Sequence, residues 1–192
     1  MGKIAWGEHL CVFYNGKQEL LKLVVPFMAA GLQDNEFCMW ITGGLVTQTD
    51  AIQALESVLP QTQQYILEKR LEILSYDDWY LPSGVFNAEI VLHGWASKAR
   101  YAEAKGFAGM RVTGNPFWLC SEEEWTQFGA YEKKVESAIQ SERMLALCTY
   151  PVEQYPHVHM AQTLSTHGST LLNTTSEWRR LELCRPTEYT LP

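Results

Sequence analysis

The sequence predicts an α/β fold, a mainly parallel β-sheet flanked by helices. Three observations carry this. Short apolar runs of strand type alternate with amphipathic helical stretches along almost the whole chain, the pattern of helix-covered parallel sheets. Glu36-Phe37-Cys38-Met39-Trp40-Ile41-Thr42 lacks an apolar/polar alternation, as expected of a strand covered on both faces. Turn residues (Asn15-Gly16, Gly43-Gly44, Gly114-Asn115-Pro116) stand where strands should end.

The first strand is His9 to Tyr14. Leu20, Leu21, Val24, Val25, Phe27, Met28 and Leu32 then recur at helical spacing from Lys17 to Gln33. Pro26 inside that run lacks a backbone donor and should kink the helix, and Asn35 can take the left-handed conformation that closes it. Glu36 to Thr42 is the second strand, followed by a helix carrying Ala51, Ile52, Leu55 and Val58, and a short helix over Gln61 to Lys69. Leu71 to Tyr76 is a third strand leading into an aromatic loop, Trp79 to Gly84. A long helix from Asn87 to Lys105 precedes a fourth strand over Phe107 to Val112. Ser121 is an N-cap candidate for a helix over Glu122 to Gln140, whose first turn is acidic. A fifth strand, Met144 to Tyr150, is stopped by Pro151, and a helix over Val158 to Thr166 leads to an extended segment at Ser169 to Leu172. Residues 1–173 read as one domain and 174–192 as a C-terminal tail, with Trp178, Leu181 and Leu183 offering an edge strand.

Composition narrows the function. With 46% hydrophobic and 19% charged residues the chain is that of a folded domain. Twenty-two acids against fifteen bases give a net charge of −7 with no basic run, which argues against direct nucleic-acid or membrane binding. Five widely spaced cysteines without a CxxC pair, and no N-terminal or membrane-length apolar segment, fit a reduced, cytoplasmic protein.

In parallel sheets, ligands sit at the carboxyl ends of the strands. Those ends carry Tyr14, Thr42-Gly43-Gly44, Trp79-Tyr80, Gly114-Asn115 and Tyr150, an aromatic and neutral row suited to a small, partly apolar ligand. The expected ligand-binding residues are therefore Tyr14, Trp40, Tyr80, Trp118 and Tyr150 as walls, with Arg111 and Asn115 orienting the polar end. Arg111 sits in an apolar run and needs a partner; it either clamps a ligand or pairs with an acid such as Glu132.

The segments His9 to Tyr14, Val25 to Leu32 and Gly109 to Gly114 also carry a resemblance, together with Trp118, Tyr131-Glu132, Leu147 to Tyr150 and Leu164 to His167. In this order they resemble the MEDS family, the methanogen/methylotroph, DcmR-like sensory domains. The resemblance implies a RecA/KaiC-like core with a degenerate P-loop. It implies a non-enzymatic sensor of small organic or hydrocarbon-derived compounds, signalling to a regulatory protein partner (a kinase, anti-sigma factor or transcription regulator). Apart from the resemblance, a second copy of the chain, as a homodimer, is the other partner expected. Two positions depart from the family pattern. Asn115 stands where a Glu is usual, removing a carboxylate from the expected pocket, and Asn35 stands where a Gly is usual.

At the phosphate-loop position the chain offers only Asn15-Gly16-Lys17-Gln18, without the hydroxyl that would hold magnesium or most of the glycine cradle. No catalytic triad or nucleophile elbow is present, and no motif calls for a cofactor. Two alternatives to the ligand sensor remain: a degenerate ATPase-fold interaction module, and a metal- or haem-based sensor built from His9, Cys11, Cys148 and His167. The last needs the first and fifth strands to be neighbours, and its spacing matches no established ligand pattern.

Overall fold

The computed structural model describes residues 4–154, 157–173 and 178–183. Seven strands form one sheet in the order β3-β2-β4-β5-β1-β6-β7. They are β1 (His9–Tyr14), β2 (Phe37–Thr42), β3 (Leu71–Ser75), β4 (Met110–Gly114), β5 (Met144–Pro151), β6 (Ser169–Asn173) and β7 (Trp178–Glu182). Every pairing is parallel except the last, β6 with β7. The helices are α1 (Gly16–Gln33), α2 (Gln48–Glu56), α3 (Thr62–Leu67), α4 (Tyr76–Tyr80), α5 (Ala88–Ala104), α6 (Glu122–Ser141) and α7 (His157–Thr166).

Period-two alternation splits the core into two layers. Leu10, Val12 and Tyr14 of β1, Cys38 and Trp40 of β2, and Leu145 and Leu147 of β5 pack on a first face with α1 and α2. Cys11 of β1, Phe37, Met39 and Ile41 of β2, Val112 of β4 and Ala146 and Tyr150 of β5 pack on a second face with α5 and α6, against which Met160 and Leu164 of α7 also lie.

Local chemistry sets the element ends. Ser121 caps α6 in a reciprocal box with Glu124, and Thr47 does the same for α2 with Asp50. Asn35 adopts φ 59° after α1. Pro26 lies within α1 without ending it, on the exposed side, where water can serve the Lys22 carbonyl that proline leaves unpaired.

Two elements differ from expectation. Strand β4 starts at Met110 rather than Phe107, because the Phe107 and Ala108 amides close the turn by donating to the Ala102 and Asn35 carbonyls. The expected aromatic loop begins as α4, capped by Ser75, whose hydroxyl accepts from the Asp78 amide. Cys184 lies outside the described residues. No helix among the described residues is long and apolar enough to cross a membrane.

Candidate functional site

The seven expected ligand residues divide between the faces. Tyr14 and Trp40 are buried on the first face. Arg111 also makes its contacts there: Nε donates to Glu36 Oε2 (2.6 Å), Nη2 to Glu36 Oε1 (2.9 Å) and Nη1 to the Phe27 carbonyl (3.0 Å). Its guanidinium carbon lies 4.7 Å from the Phe27 ring centre. Arg111 therefore takes the structural role with Glu36, not Glu132; Cys38, two residues beyond Glu36, pairs with Arg111 in the β2–β4 register. Tyr80, Trp118 and Tyr150 belong to the second face, with Tyr80 and Trp118 rings 5.7 Å apart and the Tyr80 hydroxyl against Gly114. Asn115 follows β4, and its Oδ1 accepts from the Phe117 amide at 3.4 Å. Phe117 in turn fills the space over Gly43 and Gly44, so that a side chain at Gly43 would overlap its ring.

The phosphate-loop position is taken up internally. The Asn15 amide donates to Glu19 Oε2 at 2.6 Å, where an anion would otherwise approach a helix start. Lys17 Nζ is 2.7 Å from Asp50 Oδ1. The hydrogen bond from Lys17, with those from Thr47, lowers the Asp50 carboxyl to about 2.

The densest polar chemistry lies on the second face, where β1 and β5 run side by side under α6 and α7. His9 opens β1, Cys148 sits in β5, Glu132 projects from α6 and His167 lies between α7 and β6. One ligating atom from each lies within 4.8 Å of all the others. His9 Nε2 is 3.2 Å from Cys148 Sγ and 3.5 Å from Glu132 Oε2. His167 Nε2 is 3.3 Å from the same Glu132 oxygen. That oxygen is buried, and neither approach has hydrogen-bond geometry. The far ring nitrogens are held from outside: His9 Nδ1 by Glu136 Oε2 (3.1 Å) and His167 Nδ1 by the Thr163 carbonyl (2.7 Å). The imidazole rings lie 3.9 Å apart at 34°.

Burial dominates the electrostatics. It raises the Glu132 carboxyl to about 8, with Glu136 adding repulsion and a Tyr150 hydrogen bond opposing. It lowers His9 to about 3 against a hydrogen bond to the Thr166 backbone, and lowers His167 well below its usual value, helped by His9. Burial, then the Glu132 charge, raises the Cys148 thiol well above the usual range. Cys11 pairs with Cys148 in the β1–β5 register but is outside the cluster of four; burial takes its thiol up to about 12 despite a Thr170 hydrogen bond.

Glu132 and Cys148 line a cavity of about 20 Å³ with Tyr80, Trp95 and Tyr131. A second, about 10 Å³, separates Glu132 from Thr163 and Thr166. Each has room for roughly one water. Neither cavity is of the size of a haem macrocycle, and the two imidazoles lie against each other at 3.9 Å. The sequence pattern pointed to His9, Cys148 and His167 but missed Glu132 as their companion. Its signal was an acid inside the apolar stripe Trp125, Phe128, Tyr131 and Val135 of α6.

Comparison with known proteins adds three findings. The family model for the MEthanogen/methylotroph, DcmR Sensory domain matches residues 8–168. The transcriptional repressor DcmR of Methylorubrum extorquens is 23% identical over 170 residues, 87% of this chain; the chain spans 60% of that relative's length. Among solved structures, the flagellar accessory protein FlaH from Methanocaldococcus jannaschii (10% identity) and a KaiC-like protein from Pyrococcus horikoshii (12%) each superpose with a TM-score of 0.59. Each match covers 93% of this chain and 78% of the other. The likeness places the sheet among RecA/KaiC-like folds.

Proposed function

The chain belongs to the MEDS family of sensory domains, and from that premise we propose that it binds a small organic molecule on the second face and passes its occupancy to a regulatory protein. The observation that carries this is Glu132 Oε2, a buried carboxylate oxygen without a hydrogen bond, between two imidazoles and beside a cavity. Leaving such an atom unmade costs about 1–3 kcal/mol or more, a cost that a bound partner would remove. Converging polar groups with shifted pKa values in an aromatic surround are the usual composition of a binding site. Tyr80 and Tyr150 supply apolar walls. Trp118, whose Nε1 is buried without a partner, offers a further donor in the same layer.

The cavity size favours a ligand of few heavy atoms unless α7 moves outward. Ligand binding carries a signal only if it favours one of two states. The contact between α6 and α7 is the candidate element: Gly129 lets Gln162 lie against α6, and a Cβ there would overlap it. Output to transcription, suggested by the repressor relative, would run through a partner or a second copy, since a chain of net charge −7 is poorly suited to DNA itself. Nucleotide hydrolysis is outside this reading, with Lys17 and the Asn15 amide already engaged.

Thermal unfolding with a panel of one- to three-carbon alcohols, thiols, amines and halides tests it. A binding compound at a hundredfold its Kd should stabilise the chain by about 2.7 kcal/mol, and Glu132→Gln should abolish the response. If no compound stabilises the native chain, or if the variant responds equally, the reading fails.

A further inference from the structure

We propose that His9, Glu132, Cys148 and His167 form a binding site for one first-row divalent transition-metal ion, with Zn2+ the best match to the donor set. The inference rests on the geometry and chemistry of these four donors, so it can fail while the organic-ligand reading stands.

Proton positions give the first argument. His9 Nδ1 faces the Glu136 carboxylate and His167 Nδ1 faces the Thr163 carbonyl; both partners accept, so both Nδ1 atoms carry the ring proton. Each Nε2 is then an acceptor: His9 Nε2 has Cys148 Sγ at 3.2 Å and His167 Nε2 has the Tyr150 hydroxyl at 3.5 Å. Both lie within 3.5 Å of Glu132 Oε2, which also accepts when ionised. The Cys148 sulfur closes the group, 3.2 Å from His9 Nε2. A cation between them would satisfy this convergence of acceptors. Protons on Cys148 and Glu132, with the Tyr150 hydroxyl nearby, can serve the metal-free protein; an entering ion displaces the first two.

Distances give the second. Tetrahedral Zn2+ with bonds of roughly 2.0–2.3 Å has ligand–ligand edges of about 3.3–3.6 Å. Three of the six edges are 3.2, 3.3 and 3.5 Å and the others lie within 4.8 Å, so side-chain movements of about an ångström would accommodate an ion. Charge gives the third: one thiolate and one carboxylate neutralise a divalent ion, leaving a neutral centre in a buried place. Two imidazoles, one thiolate and one carboxylate suit zinc and its first-row neighbours better than magnesium or calcium, which take oxygen ligands.

The surroundings fit as well. Ligating histidines characteristically donate their other N–H to a carboxylate or backbone carbonyl, the arrangement found here. Gln140 Nε2 in turn donates to Glu136 Oε1 at 2.7 Å, fixing that carboxylate. An open polar groove of about 350 Å³ that includes Glu8, His9, Glu136, Ser169 and Arg180 borders the cluster on its His9 and Glu136 side.

The test uses the tag-free chain, stripped with a chelator and titrated with Zn2+ or Co2+. One equivalent should bind, and the Co2+ form should show a thiolate charge-transfer band with the strong visible absorption of a tetrahedral site. Cys148→Ser should remove that band. Glu136→Gln should keep the spectrum but weaken affinity about 10- to 100-fold. Cys120→Ser, at an exposed cysteine, should change neither. Circular dichroism establishes that each chain is folded. Substoichiometric binding by folded wild type, a charge-transfer band surviving Cys148→Ser, or unchanged affinity in Glu136→Gln would overturn the proposal.

Discussion

Replacing Arg111 by Met should destabilise the fold without impairing ligand or metal binding. The substitution removes three hydrogen bonds of 2.6 to 3.0 Å and strands the Glu36 carboxylate, whose side chain is 4% exposed. Breaking a buried pair from one side costs about 3–5 kcal/mol. With a urea dependence of about 2 kcal/mol per molar, a 4 kcal/mol loss lowers the unfolding midpoint by roughly 2 M. Replacing both partners (Arg111→Met with Glu36→Leu) removes the stranded charge, so the double variant should be more stable than Arg111→Met alone. Urea unfolding followed by tryptophan fluorescence measures all three chains. A loss below about 1 kcal/mol in Arg111→Met, the range of an exposed pair, would refute the structural assignment. A selective loss of ligand response at full stability would return Arg111 to the binding site.

In chelated protein, Glu132 makes stability fall with rising pH. Its folded value of about 8 exceeds its ordinary 4.5, so this contribution is complete below 4.5 and lost as pH rises through 8. Above about pH 7.5 the histidines, lowered in the folded chain and ordinary in the unfolded one, are largely neutral in both states. Denaturation should there show stability falling with pH by up to about 1 kcal/mol per unit, a slope that Glu132→Gln flattens. Gly43→Ala, whose Cβ would overlap the Phe117 ring, should cost about 1–3 kcal/mol by overpacking, and Phe117→Leu should recover part of it in urea melts. Magnesium-ATP should leave thermal unfolding unchanged; a nucleotide at a hundredfold its Kd would add about 2.7 kcal/mol, and such a gain would contradict the engaged phosphate loop.

Much of the fold was legible because apolar runs and turn residues mark elements directly. His9 to Tyr14, Asn35 and the Ser121 cap stand where the pattern places them. The start of β4 was not legible: Phe107 reads as strand, yet it packs on Phe37 and Tyr101 from a turn. The site was harder because sequence locates strand ends better than it locates sheet faces. Tyr14 and Tyr150 both end strands, but their opposite places in the period-two alternation send them to opposite layers. The sequence offered Glu132 as an acid for Arg111; the β2–β4 register instead sets Cys38 beside Arg111 and brings Glu36, two residues earlier, to its guanidinium.

Hydrogen–deuterium exchange with and without a stabilising compound tests the central claim most directly. Binding on the second face should protect β1, α6 and the α7–β6 junction at His167. Protection confined to the β1–α1 turn around Asn15 and Lys17, with α6 and α7 unchanged, would contradict it.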